Sequence, residues 1–135
     1  MSAGYMKRGN SYLNLLLVIM GGGIGAGGRY LLGGWLHSLV GHGFPWGTFT
    51  VNVLGSLVLG LVFGVAQQGS LSSGTNLFLT VGVLGGFTTF SSFSFETMQL
   101  LALGNVGASL VNVAGQFVMS LLAVYLGFTL LRGLS

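Results

Sequence analysis

Apolar residues dominate four stretches of the chain, at about 13–36, 47–66, 76–103 and 107–131, and short polar segments separate them. A bilayer-crossing helix needs about 20 predominantly apolar residues, because in hydrocarbon only internal hydrogen bonds satisfy the backbone. Each stretch meets that length, so the pattern predicts an all-α membrane protein with four transmembrane helices in a single domain, 1–135. The third stretch is longer than a straight span requires. In its middle, Val83 to Glu96 reads VLGGFTTFSSFSFE, with two adjacent glycines before a run of Thr and Ser hydroxyls. Glycine pairs loosen a helix, and hydroxyls satisfy the backbone groups that a break exposes. The third helix is therefore expected to be interrupted near its middle, with the break near 85–90 and opening at Gly85 and Gly86. Broken helices in a bilayer mark ion or substrate sites, since their ends present partial charges where water is absent.

Polar and small positions recur inside the other spans at helical spacing. Gly21, Gly25, Arg29 and Gly33 fall at i+4 steps in the first span, a stripe suited to close helix packing. Arg29 stands apart, because a charge at that depth faces a cavity or a partner, or else snorkels to the interface. In the second span Thr48, Asn52, Ser56, Gly60 and Gly64 share one face, and Asn52 supplies two N–H donors and an acceptor without a net charge. Ser109, Asn112, Gln116 and Ser120 line a face of the fourth span. Such stripes predict a narrow polar path where helices meet. The segment 37–46 reads as a loop that carries His37, His42 and the only proline, Pro45; the histidine spacing has no metal-site pattern.

Composition sharpens this picture. Of 135 residues, 52% are hydrophobic and 4% charged, and the mean hydropathy is +0.88, which places the chain in the membrane, surrounded by lipid. A net charge of +3 is too small to imply a nucleic-acid partner. With no cysteine, neither disulfides nor thiolate metal sites are available. Lys7 and Arg8 precede an apolar run as in a signal peptide, but no A-x-A site follows, so the first helix is expected to be retained. The chain has one acid, Glu96, and no nucleophile with a base beside it, so an enzyme is not expected. Hydroxyls and carboxamides donate to anions, and aromatic rings offer positive edges. Phe90 and Phe93, at i+3, share a face with Glu96 three residues on; their other reading is plain packing.

Three segments, GVLGGFTTFSSFSFE, PWGTFTVNVLGSLVLG from Pro45 to Gly60, and GGGIGAGGRYLL from Gly21 to Leu32, together resemble the CrcB/Fluc family of fluoride channels. The resemblance covers essentially the whole chain in order. It implies an antiparallel, dual-topology homodimer in the plasma (inner) membrane. Two pathways would export fluoride passively to relieve its toxicity, and a structural sodium ion, not transported, would sit at the dimer centre. Carried over by position, the backbone carbonyls of Gly85 and Thr88 would hold the sodium, Phe90 and Phe93 would be the pore-lining rings, and Asn52 the pore asparagine. Thr48, Ser91, Ser92, Glu96 and Ser120 would form the polar track, with Arg29 at the vestibule. Gln116 departs from the family pattern, which usually has serine there.

A rival reading is a small multidrug-type exporter that couples cation efflux to proton exchange through Glu96. Such exporters resemble one another in a first-helix glutamate, and the first span here has no acid. An assembly subunit without transport would leave the interrupted helix unexplained. Four spans put both tails on one side, where Lys7, Arg8 and Arg132 give a positive bias. Dual insertion requires that bias to be weak.

Overall fold

Segments that are apolar on nearly every face have no hydrogen-bonding partner in a bilayer except their own backbone, and they fold as helices. The computed structural model of the chain describes residues 8–132, with side chains over 11–131. It contains α1 (Arg8–Val40), α2 (Trp46–Gln67), α3 (73–87), α4 (Phe90–Ala102) and α5 (Val106–Arg132). No strand occurs among the described residues. Four stretches are long and apolar enough to span a membrane, Ser11–Val40, Trp46–Gln67, Ser73–Ala102 and Val106–Leu131, the third comprising α3 and α4. The chain is a multi-pass integral membrane protein. Lys7 and the side chains of Arg8 and Arg132, on which the expected charge bias rests, lie outside the described residues.

The expected loop at 37–46 is shorter in the structure. α1 continues through His37 and stops at Gly41, whose φ of 83° only a residue without Cβ adopts readily. Gly69 and Gly104 end α2 and α4 in the same left-handed conformation, with φ of 71° and 77°, so each connection on either side of the bundle is a tight turn. His37 thus sits on the last turn of α1, its ring edge-on to His42 at 4.0 Å.

Packing runs in two pairs, α1 on α3 and α2 on α5. Both depend on missing side chains. At Gly25 an added Cβ would strike the Val83 carbonyl, and at Gly60 the Val124 carbonyl. The glycine stripe of the first span is therefore a packing seam, completed where Gly33 meets Gly47 at the α1–α2 crossing. The interior is inverted relative to a water-soluble protein. Val51, Leu84, Leu100 and Ala123 are the buried apolar side chains, whereas Thr89, Ser109, Asn112 and Gln116 are buried polar ones and large apolar residues cover the outside. Lipid tails favour that outer surface and leave polar groups to find each other within the bundle.

The third span is interrupted, but not at its glycines. Phe78–Leu84 forms a wider π-helical stretch, in which the Gly85 amide reaches back to the Thr80 carbonyl. Gly85 itself is right-handed helical, with φ −63° and ψ −37°, and the helix continues through Phe87. The chain extends only at Thr88 (ψ 155°) and Thr89 (φ −150°, ψ 121°) before α4 begins. The expectation that the break opens at Gly85 and Gly86 is corrected accordingly. Gly86 serves close approach instead: an added Cβ would lie 2.9 Å from the Gly22 Cα and nearer still to its carbonyl. At Gly85 the nearest atom, the Thr80 oxygen, would be 3.7 Å away.

Candidate ion pathway

Threonine is a poor helix interior residue and a good cap, and two in succession give the chain a place to turn out of one helix and into the next. The Thr88 amide and hydroxyl both bond to the Leu84 carbonyl, at 3.0 and 2.9 Å, closing α3. The Thr89 hydroxyl accepts from the Ser92 amide at 3.2 Å, opening α4. Between these ends the bare peptide of Thr89 is held by Asn52 from α2. The Asn52 Oδ1 accepts from the Thr89 amide at 2.8 Å, and its Nδ2 donates to the Thr89 carbonyl at 3.0 Å. A side-chain amide here replaces the neighbour that a sheet or helix would supply.

The break lies on an open groove of about 700 Å³, bordered by Asn52, Ser56, Thr80, Gly85, Thr88, Thr89, Phe90, Phe93, Gln116 and Ser120 among apolar neighbours. None of the residues bordering it is charged. Phe90 is 78% exposed, so its ring is no packing residue within the subunit. It stands 5.4 Å from the Phe93 ring, tilted by 49°. The Gly85 carbonyl has lost the donors that a continuing helix would give it, because the Thr88 amide bonds Leu84 and the Thr89 amide bonds Asn52. No hydrogen bond from a described residue ends on the Thr88 carbonyl either. Gly85 and Thr88 both border the groove, and carbonyl oxygens without donors are the kind of hard ligand that an alkali cation takes.

A second cavity of about 480 Å³ is bordered by Arg29, Tyr30, Gly33, Gly47, Thr48 and Ser92. Its link to the groove is short. Thr48 and Asn52 are one turn apart on α2, and the Ser92 hydroxyl lies 3.2 Å from the Thr89 hydroxyl. Thr48 donates to Glu96 Oε1 at 2.7 Å, while Glu96 Oε2 is buried without a hydrogen-bond partner. No ion pair forms among the described residues, so Arg29 faces the cavity unpaired by the acid. Glu96 borders neither cavity directly, nor does Ser91, an exposed residue whose hydroxyl is 3.2 Å from that of Thr89. The structure thus brings Asn52, Phe90, Phe93, Ser120, Gly85 and Thr88 to one groove, and Arg29, Thr48 and Ser92 to the adjoining cavity.

Thr89, Thr97 and Asn112 have parts that the sequence reading did not assign. Thr89 carried a signal, a Thr immediately before a helical run, which is the residue type favoured at an N-cap. Thr97 looked like any surface threonine of α4. Its hydroxyl donates to the Phe93 carbonyl at 2.7 Å and accepts from Asn112 Nδ2 at 3.0 Å, and Asn112 is wholly buried.

A broken membrane helix whose backbone is clamped by a half-buried carboxamide, next to a ring pair and an uncharged polar groove, defines a membrane protein of the ion-pathway class. The chain belongs to the CrcB-like family: the family model described as "CrcB-like protein, Camphor Resistance (CrcB)" matches residues 16–128. It is 50% identical over 115 residues to a protein of Thermus thermophilus named "Fluoride-specific ion channel FluC", covering 85% of this chain and 91% of that one. A protein of the same name from Agrobacterium fabrum is 46% identical over 123 residues, 90% of this chain and 98% of its own. "Fluoride-specific ion channel FluC 3" of Methanosarcina barkeri is 43% identical over 122 residues, 90% of this chain and 92% of its own.

Proposed function

We propose that the chain is a fluoride-selective ion channel subunit, as the names of its relatives indicate for them, and that it passes fluoride out of the cell across the plasma membrane without energy coupling. The observation that carries this reading is the meeting of Asn52, Phe90, Phe93 and Ser120 on one uncharged groove beside the helix break. Fluoride is strongly hydrated, and removing its water is costly unless fixed donors replace it. The Asn52 carboxamide and the hydroxyls of Ser120 and Ser92 supply donors, and ring edges of Phe90 and Phe93 add weak positive potential. No fixed cation in the groove would trap the ion, which keeps binding moderate enough for release. Arg29, in the adjoining cavity, would gather anions at the mouth of the path. Glu96, held by Thr48, and Ser91, beside Thr89, complete the polar track.

The functional unit in this reading is an antiparallel homodimer with two pathways. The groove supports it: Phe90 and Gly85 are exposed on one subunit beside the half-buried Thr88, where a second copy would cover them. Gly85 and Thr88 of each copy would hold a structural sodium ion, whose charge would satisfy carbonyls that no donor among the described residues reaches. Fluoride and chloride efflux from proteoliposomes of the purified protein tests the proposal. Fluoride release far faster than chloride release is expected, and absence of fluoride release would sink the reading, including in favour of a proton-coupled exporter working through Glu96.

A further inference from the structure

The Asn52 carboxamide is already fully engaged. One of its two N–H groups donates to the Thr89 carbonyl at 3.0 Å and the other to Gln116 Oε1 at 2.6 Å. Gln116 Nε2 in turn donates to Asn112 Oδ1 at 2.9 Å, and Asn112 Nδ2 to the Thr97 hydroxyl at 3.0 Å, which donates to the Phe93 carbonyl. The bonds all run in one direction, from the Thr89 amide through Asn52, Gln116, Asn112 and Thr97 to Phe93, and so leave and rejoin α4 one turn apart. Such a chain polarises its members and fixes which way each amide points.

An anion that uses Asn52 as a donor must therefore displace an acceptor. The Thr89 carbonyl is one half of a two-point clamp, and releasing it would leave backbone polar groups bare at the break. The Gln116 oxygen is a single contact from a side chain that borders the same groove. Its nitrogen stays anchored on Asn112, which is 0% exposed, when the oxygen moves aside. We infer that Gln116 is a specificity-determining residue: its carboxamide oxygen holds the Asn52 N–H until an anion that accepts hydrogen bonds more strongly than a neutral carbonyl displaces it. Fluoride passes that comparison more easily than a larger, more diffuse halide, because its charge is concentrated on a small ion. The inference rests on Asn52 being a pathway donor, as proposed above.

The test is fluoride efflux at graded concentrations, with chloride efflux alongside, for the wild type, Gln116→Met and Gln116→Ser. Methionine keeps the length and removes the acceptor; serine is too short to reach Asn52. Freeing one hydrogen-bond donor should lower the half-saturating fluoride concentration about two- to tenfold in both variants. The fluoride-to-chloride ratio should narrow with it. A role confined to packing would lower the maximal rate and leave half-saturation in place. Unchanged or raised half-saturation in either folded variant overturns the inference. A wild type that conducts no fluoride removes the channel reading itself; a conducting wild type with unshifted variants removes only the role of Gln116.

Discussion

Changing Asn52 to Asp separates its two tasks, because the carboxylate keeps one bond and loses two. Oδ1 can still accept from the Thr89 amide, now at 2.8 Å, so the clamp on the break survives in part. The donors to the Thr89 carbonyl and to Gln116 disappear, and a second carboxylate oxygen faces two acceptors that stood 3.0 and 2.6 Å away. Each lost bond is worth about 1 kcal/mol net, with a further penalty of about 1–3 kcal/mol for a buried acceptor left unpaired. An anion about 4 Å from the introduced charge would meet about 4 kcal/mol of repulsion at an effective dielectric constant near 20, close to a thousandfold in occupancy. Asn52→Leu removes the same donors without the charge. Fluoride-electrode recordings of efflux from proteoliposomes at neutral pH should give the order wild type, then Leu, then Asp, with Asp at background. The reasoning fails if Asp, eluting as an assembled species, conducts at the wild-type rate. If Asp instead conducts better than Leu, Asn52 acts through the break alone and the anion takes another route.

Phe90→Ile and Phe93→Ile should each cut fluoride efflux sharply while size-exclusion profiles stay unchanged; full flux in both would make the rings packing residues of a covered face. Gly86→Ala should lower thermal stability in detergent by about 1–3 kcal/mol, because α1 and α3 must separate to admit the methyl group, whereas Gly85→Ala should be close to neutral. The opposite order would contradict the close approach at Gly22. If sodium joins two copies through Gly85 and Thr88, the dimer should persist to lower protein concentration in sodium than in N-methylglucamine at equal ionic strength. Metal content is measured alongside, and equal dimer stability with sodium absent from both samples would refute the site.

Spans were legible in the sequence because hydropathy summed over about 20 residues is insensitive to detail; cap positions were not, and α1 overran its expected end to reach the left-handed Gly41. The break was legible as chemistry and fell within the expected 85–90, three residues beyond the glycines expected to open it. Its cause lies in what glycine means in two settings: at Gly41 it permits a backbone angle, at Gly86 it permits a neighbour. Sequence alone shows the missing side chain and not which freedom is used, since Gly22, the neighbour that needs the space, is far away in the chain. The hydroxyls next to the glycines were the better guide, because Thr88 and Thr89 act on their own backbone, through bonds to Leu84 and Ser92 that local order determines.

The same distinction decides how much of the site could be read. Spacing at i+4 places Asn112, Gln116 and Ser120 on one face of α5, and it placed Thr48, Asn52 and Ser56 on one face of α2, but it leaves open which way each face turns. In the structure the α5 stripe divides along its length. Asn112 is spent inside the subunit on Thr97, Gln116 stands at the boundary with one end on Asn112 and the other on Asn52, and Ser120 reaches the groove. Lipid exposure explains why the division is possible. In water an unneeded carboxamide on a helix surface costs little, whereas in a bilayer each one must find a partner, so a fully buried Asn112 is held by obligation. A polar residue in such a bundle is consequently either anchored or borders the path, and Gln116, held at both ends on the edge of the groove, does both.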